Sequence, residues 1–413
     1  MTTTGRIELM APAGNFESLQ AAIDNGADSV YFGVEQLNMR ARATMNFTLD
    51  DLPEIARRCK EKNVRTYLTL NTIIYDHDLS IVKTLLQKAK DANLTAVIAS
   101  DQAVIAMART IGLEVHISTQ LNVTNIETVK FYALFADTIV LSRELSLRQV
   151  AKITEAIEKE QIKGPSGNLV EIEIFGHGAL CMAVSGKCYL SLHSHNSSAN
   201  RGACKQNCRK KYTVIDQESG FEIEIDNEYM MSPKDLCTLD FLDQVIDTGI
   251  QVLKLEGRGK GADYVAMVTK TYRSAIDAYY EGSFTEENVM KWMNDLRTVY
   301  NRDFWSGYYL GQKLGEWSDV PGSVATQKKV YVGKAMHYFQ KVSIGEFKVE
   351  AYDIKVGDKI LITGPSTGAQ ELIIDELFAN GGKVEKATKG DDATFKLPFR
   401  VRLSDKMYKI VEA

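Results

Sequence analysis

Apolar, β-branched runs alternate with stretches whose apolar positions recur every three or four residues, from the N-terminus to about residue 280. The runs predict strands, and the three-to-four spacing predicts amphipathic helices. Strands are expected at 7–14, 28–33, 64–71, 95–100, 114–118, 137–142, 171–178 and 251–258. Helices are expected at about 15–25, 49–62, 78–92, 125–135, 146–159 and 262–280, with a shorter one ending near Thr110. The strands are apolar through most of their length, as when both faces of a parallel sheet are covered. Eight such units fit an α/β fold of the closed, TIM-like (β/α)8 barrel type, whose usual size is about 250 residues. The runner-up is a doubly wound open sheet, which normally carries a G-x-G-x-x-G turn after its first strand. Here that turn reads APAGN, with a single glycine, so the barrel is preferred.

The regularity breaks once, in an insertion at 177–247 after the seventh strand. A hairpin is expected at 212–215 and 221–225, and a helix near 238–247 restores the barrel pattern. Insertions after barrel strands lie on the C-terminal face, where barrel active sites are built. Beyond residue 282 the character changes. A helical and aromatic-rich linker at 283–326 contains NRDFWSGYYLG, and the short alternating runs of 327–413 predict a small C-terminal all-β barrel. The expected division is therefore 1–282, 283–326 and 327–413.

Composition narrows the function classes. The net charge of −5 gives no global basic signature, so any nucleic-acid contact has to be local. No apolar run reaches the length of a membrane span, and the first residues carry no basic region followed by an apolar stretch, so a cytoplasmic protein with no membrane partner is expected. Four of the six cysteines fall between Cys181 and Cys208. In a reducing compartment that clustering points to metal binding or catalysis rather than to disulfides.

The cysteine spacing is C-x6-C-x15-C-x3-C over Cys181, Cys188, Cys204 and Cys208, with Cys237 further on. Four thiolates suit an iron–sulfur cluster of the 4Fe-4S type or a structural zinc. Zinc usually takes two close cysteine pairs and only one is present, so the cluster is preferred; ligand-free thiols are the third reading. Cys59 reads as an isolated helical thiol. His177, just past the seventh strand, is either a strand-capping histidine or a catalytic imidazole at the barrel mouth; His193 and His195 in the same loop are expected to be exposed. Polar residues at expected strand ends include Glu8, Asn15, Asn71, His116, Gln120, Asn122, Arg143 and Glu144. Lys254 and Glu256 share a strand face, as an ion pair closing the barrel or as an anion-binding or proton-handling catalytic site. Arg40, Arg42 and Arg258 could clamp a small dicarboxylate co-substrate, since a guanidinium fork matches a carboxylate, with Asn71, Gln120 and Asn122 nearby. Arg201, Lys205, Arg209, Lys210 and Lys211 form a basic run that is either a solvated face or an RNA-binding one. No phosphate loop, H-E-x-x-H motif or G-x-S-x-G elbow occurs, which weighs against common hydrolase mechanisms.

The segments ELMAPAGNFESLQAAIDNGADSVYFG, STQLNVTN, FGHGALCMAVSGKC, NRGACKQNCR, SPKDLC and LKLEGR together resemble the U32 peptidase family, often labelled collagenase-like, over nearly the whole chain. The C-terminal runs resemble that family's β-barrel. The resemblance is greatest to the transfer-RNA uridine hydroxylase branch. It implies an iron–sulfur enzyme that uses prephenate to convert the wobble uridine of tRNA to 5-hydroxyuridine. It implies cluster ligation by Cys181, Cys188, Cys204 and a fourth cysteine, for which Cys237 is preferred and Cys208 is the alternate. The family label also leaves open a peptidase acting on proteins. A non-catalytic RNA-binding or assembly factor with a structural cluster is a third possibility.

Overall fold

A computed structural model describes residues 5–41, 46–210, 212, 217–218, 231–320 and 322–413. The barrel strands are β1 (Glu8–Ala13), β2 (Ser29–Phe32), β3 (Arg65–Leu70), β4 (Ala96–Ala99), β5 (Glu114–Ile117), β6 (Thr138–Val140) and β7 (Glu171–Gly178). Two short strands follow, β8 (Asp235–Cys237) and β9 (Val252–Leu255). The helices between them are α1 (Phe16–Asp24), α2 (Leu52–Glu61), α3 (Leu79–Asp91), α4 (Gln102–Thr110), α5 (Ile126–Ala133), α6 (Leu147–Glu160), α7 (Leu190–His195) and α8 (Leu242–Asp247). After β9 come α9 (Ala262–Glu281), α10 (Glu286–Arg297) and β10 (Phe304–Trp305). Strands β1 to β7 pair in parallel in sequence order, and β9 pairs in parallel with both β7 and β1. The ring is a closed eight-stranded parallel barrel, as the alternation of runs and amphipathic stretches predicts.

Local chemistry starts the helices where the pattern places them. Asn15 is the N-cap of α1: its side chain accepts from Ser18 N at 2.8 Å, and the Ser18 hydroxyl accepts from Asn15 N at 3.1 Å. This reciprocal capping satisfies two otherwise orphaned donors, so Asn15, read as a strand-end polar residue, is a structural cap. Between ring and helices lies one large apolar core that includes Leu9, Phe32, Leu68, Val97 and Ile117. Each such buried side chain contributes roughly 1.5–3 kcal/mol. Inside the ring a smaller set, Met10, Tyr31, Tyr67, Ala96, Ile98 and Val252, fills the centre.

The ring's interior also holds a polar column. Lys254 on β9 donates to Glu173 on β7 at 2.8 Å, and both are buried. Glu173 approaches His116 at 3.9 Å, the His116 ring lies 4.4 Å from that of Tyr67, and the Tyr67 hydroxyl donates to Glu8 at 2.9 Å. Glu8 pairs with Arg65 at the opposite end of the barrel from the strands' C-termini. Two expectations change accordingly. Glu8 and His116 lie inside the ring below the catalytic face, tied into the column by Tyr67 and Glu173. Lys254 does close the barrel through an ion pair, but its partner is Glu173 and not Glu256.

Two strands went unpredicted. β8 runs antiparallel to the end of β7, with His177 opposite Cys237, and β10 pairs in parallel with β8. The aromatic stretch expected to be a linker is thereby laid against the barrel: the Tyr309 hydroxyl donates to the Phe175 carbonyl at 2.8 Å, and the Leu147 N–H donates to the Tyr309 carbonyl. The expected hairpin at 212–215 and 221–225 falls almost wholly outside the described residues, as do Arg42 and Lys211.

The C-terminal strands are β11 (Gln327–Phe339), β12 (Ile344–Val349), β13 (Ile354–Lys355), β14 (Lys359–Gly364) and β15 (Gly368–Ile373). They continue with β16 (Leu377–Ala379), β17 (Gly382–Val384), β18 (Lys386–Ala387), β19 (Asp392–Lys396) and β20 (Lys406–Glu412). Eight of them form an antiparallel sheet in the order β15-β14-β20-β11-β12-β19-β16-β17, wrapped around its own core of Val332, Phe347, Ile360, Ile362, Phe395 and Met407. This all-β unit seats on the barrel's outer wall. Gly368, at φ +67°, lies so close to α1 that a Cβ there would stand 3.0 Å from Ala21 N. Lys329 also pairs with Asp263 at 2.6 Å. No helix among the described residues is long and apolar enough to cross a membrane.

Removing one member of a buried ion pair leaves an uncompensated charge, at a cost of about 3–5 kcal/mol, whereas replacing both is much milder. Lys254→Met should therefore lower the unfolding free energy by about that amount, and Lys254→Met with Glu173→Leu should recover most of it. Urea titrations of the two variants check this; equal losses in both would show that the pair does not close the ring.

Candidate functional site at the barrel mouth

The C-terminal ends of the strands converge on a set of cations arranged around one carboxylate. Glu256, just past β9, accepts from Arg40 Nη2 at 2.9 Å and from the Tyr31 hydroxyl at 2.7 Å. Burial opposes ionisation of Glu256, but Arg40, Arg143 and Arg258 outweigh it and hold the carboxyl down at about 2. A group so firmly ionised anchors guanidinium groups; it does not shuttle a proton near neutrality. Reading Glu256 as a proton-handling residue is corrected on that ground, and Lys254 is likewise committed to Glu173.

Arg258 is buried and donates to Thr69 Oγ1 at 2.8 Å and Asn38 Oδ1 at 3.1 Å. Gly33 makes room for it, since a Cβ there would lie 2.6 Å from its guanidinium. Asn71 accepts from Met39 N at 3.2 Å and donates to Gln120 Oε1 at 3.2 Å; Gln120 in turn donates to Ser185 at 3.3 Å. Asn122 is held in a left-handed turn and donates to the Gln120 carbonyl at 3.0 Å. Three of the expected ligand-facing residues, Asn71, Gln120 and Asn122, are thus brought together, with Arg40 and Arg258 beside them. Asn122, Arg143, Glu144, Cys181 and Tyr308 line a narrow cleft at this rim. Arg143 stacks 3.7 Å over the Phe175 ring, with its Nε unpartnered.

The cysteine loop covers one side of the mouth. Gly202, at φ +78°, touches the Asn38 carbonyl so closely that a Cβ would lie 2.1 Å from it. That approach brings Cys204 into the neighbourhood of Arg40. Burial raises the Cys208 thiol; Arg209 pulls the other way, and the neighbouring Cys181, Cys204 and Cys188 raise it further. These four thiols form one electrostatic group. Cys237 is not part of it. It points inward from β8, 2 % exposed, with its Sγ 3.7 Å from the Tyr272 hydroxyl and 3.8 Å from Met293 Sδ, and burial pushes it up to about 12. The preference for Cys237 over Cys208 is corrected by the antiparallel pairing of β8 with β7, which turns that side chain into the core. Among the described residues no three His, Cys, Asp or Glu side chains converge on one point as a single-ion site requires. Four thiols sharing one neighbourhood at the rim are a donor set suited to a polynuclear cluster. Cys59 is buried in α2 and likewise pushed up to about 12 by burial.

His177 does not reach the mouth. Its ring is walled in by Tyr272, Phe304 and Tyr264 at 5.4, 5.5 and 6.1 Å, and burial holds it down at about 3. It is a neutral core histidine, so the catalytic assignment is corrected. The basic run divides. Arg201 is bound to Asp78 and to the Ile73 carbonyl at 2.5 and 2.7 Å. Arg209 donates to the carbonyls of Pro233 and Leu180 at 2.6 and 2.7 Å. Both fasten the cysteine loop to its surroundings instead of facing solvent. Lys205 and Lys210 are exposed. His193 and His195 are exposed as expected. Ser194 Oγ lies 2.7 Å from His195 Nδ1, but that hydroxyl is engaged by the Leu190 carbonyl at 2.6 Å and Asn207 donates to both residues. The Ser194 hydroxyl donates to a carbonyl of its own short helix, and the arrangement lacks the geometry of a serine nucleophile with its base.

Sequence reasoning missed a cluster on the other side of the mouth. Lys260 stands 2.9 Å over the Tyr300 ring, Arg302 lies 5.1 Å from the same ring, and Arg302 pairs with Asp235 at 3.3 Å. Burial, then Arg302, Arg40 and Arg209 against Asp235, bring the Lys260 amine down to about 7. The GRGK turn after the eighth strand was the only sequence signal for it.

The model of peptidase family U32 matches residues 14–319. A collagenase from Porphyromonas gingivalis is 52% identical over 97% of this chain and 97% of its own. The tRNA hydroxylation protein P1 of Bacillus subtilis is 31% identical over 98% of this chain and 95% of its own. A 23S rRNA 5-hydroxycytidine synthase of Escherichia coli is 34% identical over 67% of this chain and 40% of its own. With the matched model spanning most of the barrel and its insertion, the chain belongs to peptidase family U32.

Proposed function

We propose that this protein is an RNA-modifying hydroxylase, and that its reaction is the prephenate-dependent conversion of the wobble uridine of tRNA to 5-hydroxyuridine. The observation that carries the reading is the grouping of Cys181, Cys188, Cys204 and Cys208 at the rim of the barrel mouth, next to a cationic pocket. These four side chains would hold an iron–sulfur cluster, which when bound supplies the electron transfer that a hydroxylation needs. The chain's own residues do the rest. Glu256 fixes Arg40 and Tyr31 in place, and Arg40, Arg143 and Arg258 present positive charge to the carboxylates of a small co-substrate. Asn71, Gln120 and Asn122 offer amide groups to a base or sugar. Lys205 and Lys210 meet the RNA backbone. Relatives named for tRNA hydroxylation and for a 5-hydroxycytidine synthase support RNA as the substrate class.

The second reading, a peptidase, rests on the collagenase name of a relative 52% identical to this chain. Against it stands the engaged hydroxyl of Ser194. Gelatin cleavage that co-purifies with the protein and disappears in a point variant would favour this reading.

Nucleoside mass spectrometry decides the main one. tRNA from a deletion strain with no parallel enzyme should lack 5-hydroxyuridine and its derivatives. Wild-type protein should restore them and Cys181→Ser should not; full hydroxylation in the deletion strain sinks the proposal. Iron and sulfide analysis of anaerobically prepared protein should show Cys208→Ser depleted of both, while Cys237→Ser keeps its iron and loses about 1–3 kcal/mol of stability through the buried hydroxyl. The reverse pattern would return the fourth ligand to Cys237.

Acid stability gives a third check. Glu256 is depressed in the fold, so its contribution is full above the ordinary glutamate value of about 4.3. That contribution is lost as pH falls toward about 2. Glu256→Gln should flatten this acid limb in denaturation curves; an unchanged limb would mean that the three arginines do not act on it.

A further inference from the structure

The Lys260 cluster has no role in the reading above. Lys260 follows β9 at the mouth, and Gly257 accepts its backbone N–H at 2.8 Å, which fixes the turn. Its amine rests on Tyr300, and no carboxylate among the described residues lies within ion-pair distance of it. The charges that act on it most strongly are three guanidinium groups, Arg302, Arg40 and Arg209, and one carboxylate, Asp235. Asp235 is already engaged, accepting from Arg302 N at 3.2 Å and Arg302 Nη1 at 3.3 Å. Asp235 thus offsets Arg302, and the Lys260 amine is left in excess on its Tyr300 platform. A half-buried cation with no counter-charge of its own attracts anions, and the C-terminal face of a barrel is where ligands arrive.

We propose that Lys260 and Arg302, on the platform of Tyr300, form an oxyanion-binding subsite separate from the Arg40–Glu256–Arg258 pocket. The inference rests on the reading of the barrel mouth as the substrate site. Its ligand is either a carboxylate of a small organic acid or a phosphodiester of RNA, and both would be held by the same donors. The groups facing Lys260 are Asp235, Arg302, Arg40, Arg209, Tyr300 and Tyr264. Its amine, brought down to about 7, is roughly half neutral at neutral pH when no anion is present. An oxyanion in contact favours the charged form, so binding must take up a proton.

Titration calorimetry of the anaerobically prepared protein, in two buffers of different ionisation enthalpy, reads that proton directly. The two probes are malonate and a short single-stranded RNA, neither of which titrates appreciably near neutrality. Wild-type protein should take up about half a proton per bound anion. Lys260→Arg should bind with similar affinity and no uptake, because arginine is already charged. Lys260→Met should lose about tenfold in affinity. Melting temperatures confirm that both variants fold, and the arginine variant keeps the test open if the methionine variant does not. Uptake with malonate alone assigns a carboxylate ligand, and uptake with RNA alone assigns a backbone phosphate. Uptake that persists in Lys260→Arg, or absence of binding by both probes, overturns the proposal. Binding needs no turnover, so a lysine-dependent proton uptake in a protein that leaves tRNA unmodified would keep the subsite and discard the hydroxylase.

Discussion

A closed barrel has to be shut by its last strand, and here that strand carries charge. The sequence VLKLEGR sends Lys254 and Glu256 to the same inward face, two residues apart, and each must find a counter-charge away from water. Lys254 finds Glu173 across the closing seam of β7 and β9, and Glu256 finds Arg40 and Tyr31 one level higher. The Tyr31 ring lies between them, 4.4 Å from the Lys254 amine. The seam that completes the ring is thus also the floor of the mouth, and the arginines above it are positioned by what the seam requires.

That floor explains the division of labour around it. A carboxylate held near full ionisation fixes guanidinium groups on one side. The thiol group stands beside those arginines, fastened by Arg201 and Arg209, which spend their donors on Asp78 and on backbone carbonyls. Residues that read as an RNA-facing basic run are therefore partly internal braces, because the five N–H donors of a guanidinium let one side chain hold several carbonyls and a carboxylate at once.

The eight strands and their helices were legible because runs buried on both faces and one-sided helices leave strong patterns. The short strands β8 and β10 were not: three and two residues carry no periodicity. Their absence from the sequence reading had chemical consequences. Without β8, nothing indicated that Cys237 turns inward toward Tyr272 while Cys208 stays with the other thiols. Without β10, Tyr300 and Arg302 read as linker, and their meeting with Lys260 and Asp235 could not be foreseen from three separate stretches of chain. Glu173 was hidden in an apolar strand, where only a three-dimensional partner reveals that a charge belongs. His177 was misplaced for the converse reason: spacing put it near the cysteines, and only packing shows three aromatic rings around it.

The pairing of β7 directly with β9 has one more implication. The hydrogen-bonded ring is complete without any residue between Gly178 and Gln251, since β8 adds only to its outer edge. The stretch that carries the thiols is, topologically, a loop hung on a finished scaffold. A change confined to that loop leaves every strand pairing of the ring in place. The ring and the thiol-bearing loop are thus separable parts of one chain: the first is closed by its own strand pairings, and the second hangs from a single seam.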